Sequence, residues 1–256
     1  MSILNKFPFL KKLPFLKNKC NADTDTRKIV IKDGAPQRII EGYNRLKDNV
    51  LYMNADGKVK VIQFESAVSG EGKTSVCCNL AVSLGLTNKK VVVVDLDFRK
   101  PKGHMLFECD REVGISEYVL GSASIDEIIK TTPYKNVDLV TGGEKIHNSA
   151  LVLVSEKFQD LIASLKEKYD FVLLDCAPIL QISDYIHISK VSDGVLFIVA
   201  YGQTTKGQAA DAIKELRRND IKVLGSIFSM YDRKKEKGYN YKYSYYYSDK
   251  KQQDKK

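Results

Sequence analysis

An α/β fold, with a mostly parallel central sheet and helices on both faces, is what this 256-residue sequence predicts, and three features predict it. Strand-like and helix-like segments alternate along most of the chain. Several strand candidates are continuous apolar runs, as strands buried on both faces must be. A glycine-rich turn, Ser69-Gly70-Glu71-Gly72-Lys73-Thr74, falls between one such strand and the helix that follows it.

The first 35 residues read as a basic, flexible N-terminal arm. Residues 1–20 hold five Lys and no acid, and a short echo, Phe-Pro-Phe-Leu-Lys at 7–11 and Leu-Pro-Phe-Leu-Lys at 13–17, carries prolines that forbid a regular helix. A peripheral contact with anionic lipid or with a partner is the sharper reading of the same segment. The folded domain is expected over 36–232. After the Gly34/Pro36 break, Ile39, Ile40, Tyr43, Leu46 and Val50 recur at helical spacing from Arg38 to Tyr52. Val59–Phe64 then reads as a strand, Thr74–Leu86 as a helix, and Val91–Val94 as a strand of β-branched residues. Strands follow at Val137–Val140, Phe171–Leu174, Val195–Val199 and Lys222–Phe228, with helices over 155–168 and 204–218. From 233 to 256 the periodicity gives way to a Tyr/Lys-rich tail, expected to be flexible.

The net charge is +9, but it sits at the ends. Residues 1–20 contribute +5 and residues 232–256 another +5, which leaves the middle at −1. A near-neutral domain argues against a nucleic-acid-binding core. The five cysteines (Cys20, Cys77, Cys78, Cys109 and Cys176) form no C-x-x-C pair and no metal-ligand spacing, which suits a reducing compartment. No apolar run approaches the ~18–20 residues of a bilayer-spanning helix, and the opening segment lacks the features of a signal peptide.

Chemistry concentrates in four places. In the glycine-rich turn, Ser69 to Ser75 would bind phosphate: glycines let backbone N–H groups turn inward, and the next helix presents its positive end. Lys73 would reach the β- and γ-phosphates of a nucleotide, and the Thr74 hydroxyl would ligate Mg²⁺. The first position of the usual pattern is Ala67 instead of Gly. The run Val91-Val-Val-Val-Asp95-Leu-Asp97 ends a buried strand with two carboxylates, one suited to metal and one to proton handling. Phe171-Val-Leu-Leu-Asp175 ends another strand with an acid of the kind that supports Mg²⁺ beside a phosphate loop. Finally, Tyr239, Tyr241, Tyr243, Tyr245, Tyr246 and Tyr247 crowd into nine residues of the tail. An edge strand or a base-stacking segment would be the bland readings; a cluster of phosphoacceptors is the functional one, since each phosphate adds roughly −1.5 to −2 of charge.

At these residues the sequence resembles the bacterial tyrosine kinases of capsule and exopolysaccharide synthesis, in the form whose cytoplasmic kinase is separate from its membrane activator. The likeness spans roughly 36–247 and includes Glu41 and Tyr43, the phosphate loop, Asp95-x-Asp97-x-Arg99-x-Pro101 with His104, Gly114-Ile-Ser, Asp175 and the tyrosine cluster. It implies a P-loop NTPase fold like that of the partition ATPases, without their signature Lys, since Val68 stands there. It further implies ATP and Mg²⁺ as cofactors, with Lys73 stabilising the transferred phosphate and Thr74, Asp97 and Asp175 holding the metal. Asp95 is expected to be the base for the acceptor hydroxyl, with the roles of Asp95 and Asp97 open to exchange. The implied partners are the cytoplasmic tail of a membrane activator that regulates chain length, further copies in a ring whose tails are modified in trans, and a cognate tyrosine phosphatase. The implied location is the cytoplasm, at the inner face of the membrane. Three departures stand out: Asn44 and Lys47 replace two arginines of the ring-contact helix beginning at Glu41, Ile146-His147-Asn-Ser replaces a Pro-rich turn, and Ser229 replaces an Asn that contacts adenine. The alternative is a partition-type scaffold ATPase switched by nucleotide and without kinase activity.

Overall fold

A computed structural model describes residues 29–31, 34–144 and 148–231. Seven strands form one sheet in the order β3-β4-β2-β5-β1-β6-β7. These are β1 (Val61–Ser66), β2 (Val91–Asp95), β3 (Ile129–Thr131), β4 (Val137–Val140), β5 (Phe171–Asp175), β6 (Gly194–Ala200) and β7 (Val223–Ser229). All neighbours pair in parallel except β3, which runs antiparallel to β4 at the edge. β1, β2, β5 and β6 are buried along their whole length; β2, β5 and β6 accordingly read as apolar runs, whereas β1 buries Gln63, Glu65 and Ser66 as well.

The long helices are α1 (Gln37–Met53), α2 (Lys73–Gly85), α7 (Glu156–Lys168) and α9 (Lys206–Arg218). Short helices fill the loops between them: α3 (Gly103–Leu106), α4 (Ile115–Leu120), α5 (Ile125–Ile128), α6 (Ser149–Leu153) and α8 (Asp184–Ile188). α1 and α2 cover one face, where Val50, Leu80 and Leu84 meet Ile62, Phe64 and Leu173. α7 covers the other, seating Phe158, Leu161 and Leu165 on Val92, Val172 and Leu174, and α9 seats Ala209, Ile213 and Leu216 on Val195, Phe197 and Val199. Sealed between sheet and α1, α2 is buried on nearly every side. The segment 29–31 is fixed to the same helix, because Asn79 Oδ1 accepts from Val30 N (2.7 Å) and Ile31 N (3.2 Å), and Ile29 is buried.

Sequence periodicity places the long helices within a residue or two, and their caps explain the boundaries. Ser155 Oγ accepts from Phe158 N to start α7, and Thr205 Oγ1 accepts from Gln208 N to start α9. β1 begins and ends two residues later than the strand expected over Val59–Phe64. Asp193 Oδ2 takes the N–H groups of both Lys60 and Val61 (2.8 Å each), and Asn54 Oδ1 takes that of Val59, so the ladder starts at Val61. At the far end Glu65 and Ser66 still pair with Phe197 and Ile198 of β6. The arm and tail segments 1–28 and 232–256 lie outside the described residues. No helix among the described residues is long and apolar enough to cross a membrane.

Gly85 closes α2 where a β-carbon would collide with the Lys135 carbonyl oxygen and lie 2.8 Å from Val137 Cγ2. Helix propensity alone would favour Ala there by about 1 kcal/mol. Overpacking against fixed backbone outweighs it, so Gly85→Ala is expected to destabilise the protein by about 1–3 kcal/mol, read from the urea midpoint.

Candidate active site

β1, β2 and β5 end side by side, and the functional groups collect at their carboxyl ends, where open parallel sheets bind ligands. A cleft of about 400 Å³ opens there, lined by residues 68–75 together with Ser66, Asp97, Lys102, Leu106 and Pro178. The phosphate loop turns through Gly70 (φ +90°) and Gly72 (φ +81°), a region that side chains resist. Gly72 is also the N-cap of α2, with no side chain capping the helix. Among the described residues, the N–H groups of Gly70, Gly72, Lys73 and Thr74 have no protein acceptor, so they remain for an anion.

The loop holds this open shape because Glu71 braces it from below. Only 1% exposed, Glu71 accepts from Val68 N through Oε2 (2.8 Å) and from the Thr204 hydroxyl through Oε1. Burial pushes its pKa up, against the pull of those hydrogen bonds. Ser229 Oγ donates to the Glu71 carbonyl (2.6 Å), and Gln203 Nε2 to that of Ser69 (3.4 Å). Thus β7 and the turn after β6 clamp the loop from outside it. Nothing in the sequence signals Thr204 or Gln203. Ser229, expected to touch on adenine recognition, binds the loop's own backbone.

Lys73 lies across the loop with its ammonium 2.5 Å from Asp175 Oδ1, and both side chains are nearly sealed from solvent. Burial opposes the charged lysine, but the Asp175 carboxylate and its hydrogen bond prevail, leaving Lys73 held in its charged form beyond the ordinary range. Asp175 Oδ2 is buried with no hydrogen-bond partner among the described residues. Directly across the β2–β5 ladder stands Asp95, 1% exposed. Its Oδ2 accepts from Gly103 N (2.8 Å) and Lys102 N (3.0 Å), and its Oδ1 from Asp97 N (3.2 Å). Burial raises its pKa to about 7, the nearby Asp175 charge adding to the effect. Glycine at 103 eases this close approach, since a β-carbon would sit 3.1 Å from Asp95 Oδ2 and 3.2 Å from Leu139 Cδ1.

The two carboxylates read together from the sequence therefore occupy different environments. Asp97 lines the cleft, whereas Asp95 lies behind it with both oxygens engaged. Ser69 through Ser75 all line the cleft, and Asp175 reaches it through Lys73. His104, on α3, has a buried Nδ1 without a hydrogen-bond partner among the described residues, and burial lowers its pKa. Glu41 and Asn44 are exposed on α1, where Lys47 Nζ reaches Asn44 Oδ1 (3.4 Å). The six tail tyrosines and His147 lie outside the described residues.

The residues present fit a Mg²⁺-nucleotide. The glycine cradle and free N–H groups suit phosphate, and the orphaned Asp175 Oδ2, on the carboxylate that holds Lys73 of the loop, suits a hard cation. Among the described residues no three His, Cys, Asp or Glu side chains cluster to hold a metal by themselves. Mg²⁺ typically takes one or two carboxylates, with waters and substrate phosphates completing its shell.

Fold and site together define a P-loop nucleotide-binding protein of the AAA domain family, which matches residues 59–223. Tyrosine-protein kinase YwqD of Bacillus subtilis is 32% identical over 201 residues, covering 78% of this chain and 85% of that protein. The chain belongs to the bacterial tyrosine-protein kinases. Among solved structures, the chimerical protein CapA2B2 is similar with a TM-score of 0.74 at 25% identity, covering 78% of this chain and 88% of that one. The septum site-determining protein MinD of Pyrococcus horikoshii, solved with Mg-ADP, has a TM-score of 0.57 at 25% identity, covering 66% and 70%.

A fourth buried acid underlies the site, beside Glu71, Asp95 and Asp175. Glu65 is fully buried, with Oε1 accepting from Gln63 Nε2 (2.7 Å) and Oε2 without a hydrogen-bond partner among the described residues. Burial raises its pKa to about 8 from an ordinary 4.5, the Gln63 hydrogen bond and the Lys73 charge only partly countering it. The folded protein thus holds this proton where the unfolded chain has lost it. The associated stability is complete below pH 4.5 and is lost as pH rises through about 8. Glu65→Gln is expected to flatten that decline: between about pH 5 and about pH 9 its thermal midpoint falls less than that of the wild type.

Proposed function

We propose that this chain is a protein-tyrosine kinase that transfers the γ-phosphate of MgATP to tyrosine hydroxyls, including those at 239–247 of its own tail. The observation that carries the reading is the open phosphate loop with Lys73 seated on Asp175 and Asp97 lining the same cleft, in a chain that belongs to the bacterial tyrosine kinases. Phosphoryl transfer asks a protein chiefly for positioning and charge stabilisation. The loop N–H groups hold the phosphates, and Lys73, released from Asp175 Oδ1, meets the transferring group. Thr74 and Asp175 would hold Mg²⁺, directly or through water; bound there, the metal neutralises charge on the phosphate oxygens.

The geometry favours exchanging the roles expected of the two strand-end carboxylates. Asp97, in the cleft, takes the proton of the acceptor phenol as its oxygen bonds to phosphorus and the bond to the ADP oxygen breaks. Asp95 positions the turn that carries Asp97, through the N–H groups it receives. Asp97→Asn should then lower phosphorylation by roughly 10²–10⁴-fold while ADP affinity stays within a few-fold, as measured by single-turnover labelling and calorimetry.

Activation by the cytoplasmic segment of a membrane protein, modification of tails in trans between copies, dephosphorylation by a cognate phosphatase and a role in capsule or exopolysaccharide synthesis complete the proposal. The named relatives support it. With Asn44 and Lys47 on α1, bidentate Arg pairing at those two positions is lost, and Arg38 and Arg45 are the arginines left on that helix for a ring contact. The test is to purify the full chain made together with an activator segment and to map phosphotyrosine beside a Lys73→Met control. Modification at 239–247 that disappears in the control is the expected result. None in either sample, with ATP still bound, would replace the kinase by a nucleotide-switched scaffold ATPase.

A further inference from the structure

The phosphate loop itself brings a single cation to the cleft. Between Ser66 and Ser75, Lys73 is the only basic residue. Val68 packs its side chain toward the apolar cluster of β6 and α9, and its N–H is held by Glu71. A nucleotide triphosphate with one divalent cation still carries excess negative charge, and the loose transition state of its transfer spreads that charge over the equatorial oxygens of the γ-phosphoryl group. A second positive group at the cleft wall would complete the stabilisation.

Lys102 stands there. It lines the cleft with Asp97 and Leu106, on a turn separate from the phosphate loop. Its backbone N–H and that of Gly103 both end on Asp95 Oδ2, so the turn is anchored to the end of β2. Among the described residues its ammonium has no carboxylate partner, in contrast to Lys73, which is committed to Asp175. Arg99 and Lys100, its basic neighbours in sequence, are exposed and do not line the cleft.

We infer that Lys102 is a second phosphate-binding cation, which contacts the γ-phosphate of the bound nucleotide from the turn after β2. This deepens the kinase reading but rests only on its nucleotide-binding part. The inference also gives the buried Asp95 a purpose, since its carboxylate fixes the main chain of the residue that reaches the phosphate.

The test uses the full chain and nucleotide affinity, which is read whether or not any tyrosine is modified. Dissociation constants for ADP and for a non-hydrolysable ATP analogue, both with Mg²⁺, are measured by calorimetry on the wild type, Lys102→Gln and Lys102→Arg. Loss of one charge-assisted contact predicts on the order of tenfold weaker binding of the analogue by Lys102→Gln. ADP affinity is expected to hold within about twofold, and Lys102→Arg to restore most of the loss. Equal weakening of both nucleotides would place Lys102 on the shared phosphates or make it a structural element of the turn, and would overturn the inference. Unchanged affinity for the analogue, or a loss that Arg does not repair, would overturn it too. An unchanged thermal midpoint of Lys102→Gln without nucleotide separates these results from misfolding.

Discussion

The buried pairing of Lys73 with Asp175 is the constraint around which the site is arranged. Two opposite charges sealed from water are tolerable only together, because either one alone would leave an uncompensated charge in the interior. The pair therefore fixes where β5 must end relative to the loop after β1. The order β2-β5-β1 in turn brings Asp95 level with Asp175, so a second carboxylate shares the same dry pocket. Three backbone N–H groups surround Asp95, and glycine at 103 lets the main chain come close enough to supply one of them. A nucleotide entering here would exchange one set of electrostatic partners for another. Asp175 Oδ2, buried and without a hydrogen-bond partner among the described residues, is the acceptor such an exchange could engage.

Much of this architecture is legible in the chain because burial writes itself into composition. Val91–Val94 and Phe171–Leu174 are apolar throughout, since both faces of β2 and β5 are covered. The phosphate loop announces itself through glycines that no other residue could replace at those dihedrals. Less legible were the elements stabilised by long-range contacts rather than by periodicity. α3, α5, α6 and α8 span only four or five residues each, too short to display a helical face. β3 has three residues, none fully buried, and exists because β4 offers an edge.

Within the site, residue type could be read but environment could not. Asp95 and Asp97 look equivalent in the sequence. They differ because Asp95 is the last residue of a buried strand while Asp97 already belongs to the turn beyond it. The supporting polar groups were the least visible. Thr204 and Ser229 reach Glu71 across separations of 133 and 158 residues, and no local pattern encodes such contacts. Glu65 looks like an ordinary polar position in a strand, and only packing reveals it as an acid held away from water.

The clamp that Ser229 places on Glu71 has a consequence for how the protein is made. Chains leave the ribosome from the N-terminus, and domains acquire structure in that order. The glycine-rich turn emerges early, whereas its brace is the last residue of the last strand in the sheet. A nascent chain can thus assemble β1, β2 and β5 and still lack the contact that sets the cradle. The cradle therefore takes its braced form only after β7 has emerged, later than every other strand of the sheet and long after the glycine-rich turn itself.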